Sequence, residues 1–400
     1  MIQVAVFGYG TVGSGVVQVI DDNNDLIAKR VGERLNVKYI LDLRDFPGDK
    51  NQEKVVHDVN IILDDPEVEI ICETMGGVKP AYQYTKSALE KGKSVCTSNK
   101  ELVANHGPEL IKIAEANKCN YMFEASVGGG IPIIRAMNTS LAAENIVKII
   151  GILNGTTNYM LTKMAGEGTS YDEVLKKAQD LGYAERNPEA DVEGYDACRK
   201  IAILASLMTG HYVKYEDVYT EGITAITPMD FEYAKKLGKS IKLLAIADDR
   251  DGKLTVMVAP FMIGANHQLN GVNDVFNAVY VTGNMLDDAM FYGRGAGKLP
   301  TASAVVADVI ECARNIGRTL PCLWDEEVVR LADYKEVKRR FFVRVSREQR
   351  GAVLNQVGPI KEVAVCDEEF AFITPVMTEK AFDDKIKNLK GVLSVIRVEE

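Results

Sequence analysis

Asp196 and Lys200 stand four residues apart in the stretch GYAERNPEADVEGYDACRKIAILA, residues 182–205. A helix is expected from about Tyr195, and at that spacing the carboxylate and the ammonium share one face. Following the same stripe leads to Ile203 and Leu207, with Cys198, Ile201, Ala202, Leu204 and Ala205 on its flanks. Charges on an apolar face are costly unless they are paired or put to use. A solvent-facing salt bridge has the same spacing and is worth only about 0.3–0.5 kcal/mol. The apolar setting favours chemistry, as does the acidic loop just upstream with Glu185, Asp191 and Glu193. A lysine beside a carboxylate in such a place suits proton transfer to or from a reacting oxygen.

A second pattern opens the chain. The β-branched run IQVAVF (2–7) reads as a strand, GYGTVGSG follows, and a helix is expected over about 12–34. Gly8, Gly10 and Gly13 make GxGxxG, with Thr11 and Val12 between them. Glycines there allow a tight turn and close backbone approach, and the helix N-terminus can hold a pyrophosphate. A plain glycine-rich turn shares the motif, but strand before and helix after favour a dinucleotide site. The next strand, VKYILDL, ends near Asp42, where an acidic side chain bonds the adenosine ribose. Arg44 stands where a 2′-phosphate would want a cation, so NAD and NADP both stay open.

The strand VEIICE (68–73) breaks at Thr74-Met75-Gly76-Gly77, placing Thr74 among the cofactor-binding candidates, and a helix follows from Pro80. SVCTSNKELVA (94–104) reads as strand, turn and helix start, with Lys100 at the turn. Ligands of open parallel sheets sit beyond the carboxyl ends of strands, which makes Lys100 a site candidate. NYMFEAS (120–126) reads as a strand running into VGGGIP. Glu124 and the carbonyls after it have the oxygen chemistry for a hard cation, although a plain glycine turn is the commoner origin of such a run.

These elements predict an α/β protein. A Rossmann-type, doubly wound parallel sheet is expected over 1–130, with a returning helix at about 300–318. Residues 131–299 are expected to form an α+β catalytic and dimerisation domain. In it, 131–142 reads as helix, 147–161 as strand-like, and about 255–263 and 276–282 as antiparallel strands of a one-sided sheet. Gly293, Gly295 and Gly297 fall where they would approach the cofactor. A linker, 319–337, leads to a small α+β unit over 338–400, with strands at RRFFVRVS, KEVAVC, FAFITPV and VLSVIRV. All candidate chemistry lies upstream, so this last unit is expected to be dispensable for turnover.

A net charge of −10 with no basic run argues against a nucleic-acid or anionic-membrane partner. The apolar run IAILASLM is far shorter than a membrane span. Seven cysteines stand singly, without CxxC, and the four histidines are scattered, so neither a disulfide framework nor a zinc site is expected. Free thiols and the lack of a leader point to a reducing cytoplasm.

GYGTVGSG, SVCTSNKELVA, EASVGGGIPII, GILNGTTNYML, the 182–205 stretch and GRGAGKLPTASAVVAD occur together and in this order. On these motifs the chain resembles the homoserine dehydrogenase family over about 1–320. The resemblance implies interconversion of L-homoserine and L-aspartate 4-semialdehyde with NADP or NAD, in threonine and methionine biosynthesis; the one-sided sheet, whose apolar face needs cover, predicts a homodimer or larger homo-oligomer through about 140–290. It implies that Lys100 and Lys200 are catalytic lysines, that Asp196 supports Lys200, and that Glu185 and Asp191 are substrate-side carboxylates. The substrate's own carboxylate needs donors, which backbone amides near Gly155 and Thr156 can supply. A monovalent cation, sodium or potassium, is implied at Glu124, Val127, Gly129 and Ile131. Residues 338–400 look like an ACT module, the amino-acid-sensing fold, although SREQRGAVLN replaces the Pro-Gly usual in its first loop.

Overall fold

A computed structural model of the protein describes residues 1–250, 252–358 and 360–399, which fall into two compact units. The first comprises Met1–Asn145, Ala202–Tyr215 and Phe291–Val329; the second comprises Ile146–Ile201, Glu216–Met290 and Arg330–Glu400.

Short strands build the sheet of the first unit: β1 (Ile2–Phe7), β2 (Leu35–Leu41), β3 (Val55–Val56), β4 (Val68–Glu73), β5 (Ser94–Thr97) and β6 (Tyr121–Met122). They lie in the order β3-β2-β1-β4-β5-β6, all pairs parallel. Parallel strands need cover on both faces, which is why β1 and β4 are almost continuous apolar runs with Val4, Val6, Phe7, Ile70 and Cys72 fully buried. Strand order reverses between β1 and β4, so the loops after these strands flank the crevice where doubly wound sheets bind nucleotides. The Rossmann-type sheet expected from the sequence is present. Helix Thr11–Val31 follows β1 and packs on helix Lys298–Arg314 through Gly15, where a Cβ would stand 2.8 Å from the Lys298 carbonyl oxygen and 2.9 Å from the Ala302 Cβ.

A mixed sheet organises the second unit. Its strands are β7 (Ile146–Ile152), β8 (Tyr219–Thr220), β9 (Lys239–Asp248), β10 (Thr255–Gly264), β11 (Phe276–Gly283), β12 (Asp287–Arg294, whose last residues count with the first unit), β13 (Lys338–Ser346), β14 (Glu362–Val363), β15 (Glu369–Ile373), β16 (Met377–Thr378) and β17 (Val392–Glu399). The order is β12-β11-β7-β9-β10-β17-β13-β15-β14, with β8 beside β10 and β16 beside β13. Because β10 pairs antiparallel with β9 and parallel with β17, the C-terminal strands continue the same sheet.

Alternation along β13 fixes how the C-terminal strands are held. Phe341, Val343 and Val345 share a core with Val353 and Phe382 from helices Arg350–Val357 and Glu379–Ile386. Phe342 and Arg344, on the other face, meet helix Pro228–Lys236: the Phe342 and Tyr233 ring centroids are 6.1 Å apart, and Arg344 Nε bonds Asp230 at 3.1 Å. Arg344 also bonds Glu369 at 3.0 Å. On β17, Arg397 repeats the device, reaching Glu221 at 2.6 Å, Glu379 at 3.1 Å and the Tyr219 hydroxyl at 3.1 Å. Residues 338–399 thus form a split βαβ module whose edge is fused to the upstream sheet.

Several local expectations are corrected. Residues 147–161 are not one strand. β7 ends at Ile152, and helix Gly155–Glu167 begins after Asn154, whose side chain accepts from the Thr157 amide at 2.8 Å and so draws the backbone out of the ladder. The run 120–126 yields only β6, then a 3-10 turn at Glu124–Ser126, because the buried Glu124 carboxylate is turned toward the amides of Ile134 and Arg135. Residues 131–142 give one α turn, Ile133–Arg135, and a π turn, Ala136–Ser140, with Thr139 Oγ1 bonded to the Arg135 carbonyl. The sheet is not one-sided at β10, which is buried along both faces; KEVAVC shrinks to the edge strand β14. β9 and β12 go unanticipated.

Candidate active site

Helix Tyr195–Thr209 carries Asp196 and Lys200, which are 5% and 9% exposed. The Lys200 ammonium donates to Asp196 Oδ2 at 2.6 Å and to the Leu153 carbonyl at 2.8 Å. An ammonium has three N–H groups, so one is left over for a substrate oxygen. Asn154 assembles the rest of the cluster. Its Nδ2 donates to Asp191 Oδ1 at 2.7 Å and Asp196 Oδ2 at 2.9 Å, while its Oδ1 caps helix Gly155–Glu167. One side chain thereby ties the end of β7, a helix N-terminus and two carboxylates together. Asn154 is not singled out by the sequence; the available signal was an asparagine between an apolar strand and Gly-Thr-Thr, the setting of an N-cap.

Gly155 and Thr156 open that helix, and Thr156 Oγ1 donates to the Tyr183 carbonyl at 2.6 Å. At Gly155 a Cβ would lie 2.9 Å from the Val275 carbonyl oxygen, so the close approach of that segment requires glycine. Glu185 stands outside this hydrogen-bonded cluster, exposed on its loop, with its carbonyl accepting from Gln179 Nε2 at 3.1 Å.

In the first unit the glycine turn has the shape a dinucleotide needs. Gly8 has φ +88°, and a Cβ at Gly13 would collide with the Gly8 carbonyl, so only glycine lets the helix lie this close to the turn. At Gly10 a Cβ would meet nothing within 4 Å, and no side chain caps helix Thr11–Val31. The first-turn amides have no acceptor within the helix, and the open space beside Gly10 suits a pyrophosphate. Thr74 Oγ1 bonds the Phe7 and Gly8 carbonyls, both at 2.9 Å, and fixes the turn. Asp42 accepts from the Tyr9 amide at 2.8 Å and from Arg44 Nε at 2.9 Å and Nη2 at 3.0 Å. The Arg44 guanidinium holds the Asp42 carboxyl well below the usual carboxylate range. Arg44 itself is exposed, so its fork can turn to a phosphate while Asp42 takes ribose hydroxyls.

Lys100 is the first residue of helix Lys100–Ala116, half-buried just past β5. A cation there is opposed by the helix dipole, which argues for a task other than stabilising the helix. Its neighbourhood is braced: Asn99 caps the helix and reaches the Gly77 carbonyl at 2.7 Å, and Thr97 Oγ1 donates to Glu73 at 2.5 Å. Glu73 also accepts from the Met75 amide at 2.8 Å, and burial pushes its carboxyl up to about 7. One buried carboxyl joins the turns after β4 and β5.

At Glu124 both carboxylate oxygens are engaged, by the amides of Ile134 at 2.9 Å and Arg135 at 2.7 Å. Burial pushes this carboxyl up, and burial with the Glu124 charge pushes Asp308 up to about 7 despite its bond to Arg135. The Ile131 carbonyl accepts from Ile133 N at 2.9 Å. The positive φ of Gly128 and Gly129 shapes the turn between, and Gly295 packs where a Gly129 side chain would go. The Glu124 carboxylate holds this carbonyl-rich turn through the Ile134 and Arg135 amides.

A Rossmann-type unit with this glycine turn, in a chain that also carries a buried lysine–aspartate pair, defines an NAD(P)-dependent oxidoreductase. Residues 8–124 match the family homoserine dehydrogenase, NAD binding domain, and residues 132–310 match homoserine dehydrogenase. The chain is 45% identical over 319 residues to the homoserine dehydrogenase of Bacillus subtilis, covering 79% of this chain and 73% of that protein. With the homoserine dehydrogenase of Mycobacterium tuberculosis it shares 38% identity over 99% of this chain and 97% of that one. Among solved structures, a homoserine dehydrogenase from Thiobacillus denitrificans superposes with a TM-score of 0.90 at 34% identity, covering 100% of this chain and 98% of that one. A hyperthermophilic archaeal homoserine dehydrogenase in complex with NADPH gives 0.66 at 26% identity, over 80% and 99% of the two chains. This chain belongs to the homoserine dehydrogenase family. Among the described residues, no helix is long and apolar enough to cross a membrane.

Proposed function

We propose that Lys200 handles the proton in the interconversion of L-homoserine and L-aspartate 4-semialdehyde, with NADP or NAD as hydride carrier. The observation that carries this is the buried ammonium held by Asp196 and the Leu153 carbonyl with one N–H to spare. When bound, the nicotinamide cofactor supplies a hydride to the aldehyde carbon or takes one from the alcohol carbon. Lys200 polarises the aldehyde oxygen and its proton passes to that oxygen as the C–H bond forms; in reverse, neutral Lys200 takes the hydroxyl proton. Asp196 stabilises the ammonium, and the Asn154 amide stabilises Asp196 once the lysine is neutral. Lys100 is assigned the second catalytic lysine. Glu185 and Asp191 are assigned to the substrate's ammonium, and the amides at Gly155 and Thr156, at the positive end of their helix, to its carboxylate. Gly8, Gly10, Thr11, Val12, Gly13 and Thr74 are assigned to the cofactor, with Gly295 alongside. Sodium or potassium is assigned to Glu124, Val127, Gly129 and Ile131.

The test is a homoserine assay with each cofactor, on wild type and Arg44→Ala. Homoserine-dependent reduction is expected from wild type. Loss of the fork removes a charge-assisted contact and leaves the Asp42 charge facing the 2′-phosphate, so Arg44→Ala should raise the KM for NADP by roughly 10–100-fold. NAD should be little affected. Equal loss with both cofactors would remove Arg44 from this role, and folded wild type with no homoserine-dependent reduction would sink the function.

A homodimer through the second unit is proposed from Met285, Leu286 and Met290, which are 79%, 48% and 45% exposed around the β11–β12 turn. Light scattering at micromolar concentration should give twice the chain mass; a monomer alone contradicts it. The free cysteines suit a reducing compartment, the cytoplasm, which cell fractionation would check.

A further inference from the structure

Lys242, on β9, is 3% exposed, and its hydrogen-bond partners among the described residues are uncharged. Its ammonium donates to the Val272 carbonyl at 2.5 Å, to Asn273 Oδ1 at 2.9 Å and to Asn158 Oδ1 at 3.5 Å. Asn158 lies at the start of helix Gly155–Glu167, and its Nδ2 donates to the carbonyls of Val272 (3.3 Å), Asp274 (3.0 Å) and Phe276 (3.0 Å). The Asp274 amide donates in turn to Thr162 Oγ1 at 3.0 Å. The segment joining β10 to β11 is therefore clamped against the helix, and its Val275 carbonyl presses on Gly155.

The charge itself sits in an unfavourable place. A helix N-terminus carries about +0.5 of an elementary charge, so a cation buried against Asn158, the fourth residue of the helix, is repelled. Desolvation adds to the cost, and burial pushes the Lys242 ammonium down to about 8. A methionine would fill similar space with neither penalty. An anion at the amides of Gly155 and Thr156 offsets both.

We infer that Lys242 is a positioning residue for the substrate's α-carboxylate: with Asn158 it sets the helix turn that receives the carboxylate and adds positive potential there without touching it. This rests on assigning the carboxylate to Gly155 and Thr156. Among the described residues, the charged groups that face Lys242 are few. Asp274 favours the ammonium and is paired with Lys163 of the helix at 3.5 Å, while helix Pro228–Lys236, also packed on β9, presents Asp230, which Arg344 holds. The ammonium is charged below about pH 8, so its attraction for the carboxylate is present there and lost above.

The test uses the full chain and steady-state kinetics with homoserine and with homoserinamide, whose amide replaces the carboxylate. Lys242→Met should raise the KM for homoserine by roughly 5–30-fold, the range of a helix-terminal charge effect, with kcat and cofactor KM nearly unchanged. The KM for homoserinamide should change far less. In wild type the KM for homoserine should climb between about pH 7 and pH 9, and the climb should be smaller in Lys242→Met. Equal loss for acid and amide, or an unchanged climb in the variant, overturns the inference. Should Lys242→Met fail to fold, Lys242→Arg, charged throughout this range, decides: a flat homoserine KM supports it and a wild-type climb overturns it. Wild type that binds homoserine and its amide equally well would instead fault the carboxylate assignment.

Discussion

Lys200→Ala is expected to lower kcat by roughly 10²–10⁴-fold in both reaction directions, the usual scale for a general acid–base group. The KM for NADP or NAD should hardly move, because the glycine turn assigned to the cofactor belongs to the other unit. The pair is buried, so the variant also loses stability: removing one partner of a buried ion pair typically costs about 3–5 kcal/mol. Here the Asn154 amide still donates to Asp196, which puts the expected loss at the low end. Melting temperatures recorded beside the kinetics separate the two effects. Asp196→Asn should slow turnover too, since the lysine loses the carboxylate that holds its charge. An exposed salt bridge would behave otherwise, with about 0–1 kcal/mol of stability lost and turnover intact.

Ending the chain after Asp333 should leave no soluble folded enzyme. The sequence alone suggests the opposite, because no candidate catalytic group lies in 338–400. The structure reverses that expectation. Truncation removes Arg344 from Asp230, which is fully buried, and Arg397 from Glu221. It also uncovers Tyr233 and the edge of β10 at Phe261–Ile263, an apolar strand with unpaired amides and carbonyls. Stripping the buried Asp230 of its partner costs about 3–5 kcal/mol, against a typical total stability of 5–15 kcal/mol. Solubility after expression and a circular-dichroism melt check this; a truncated chain melting like wild type and turning over homoserine would contradict it.

What could be read in advance was local. The Asp196–Lys200 spacing, the glycine turn and Lys100 past a strand end each depend on a few consecutive residues, and the structure places each on the expected element. What could not be read was tertiary. Asn154 matters because it meets Asp191 and Asp196 some forty residues away, and nothing in its own neighbourhood announces them. Lys242 interrupts an apolar strand and looks like a solvent-facing position until its carbonyl partners are seen. Arg344 and Arg397 alternate with apolar residues as exposed positions do, and only their tertiary partners, Asp230 of helix Pro228–Lys236 for Arg344 and Glu221, Tyr219 and Glu379 for Arg397, show that they are covered.

The central claim is that the Lys200 ammonium exchanges a proton with the reacting oxygen. Chemical rescue of Lys200→Ala by small primary amines tests it most directly, using folded protein with wild-type affinity for the cofactor. Turnover should recover in proportion to amine concentration, and faster for amines whose pKa lies nearer the assay pH. A folded Lys200→Ala that turns over at the wild-type rate without amine, or that no primary amine accelerates, would contradict it.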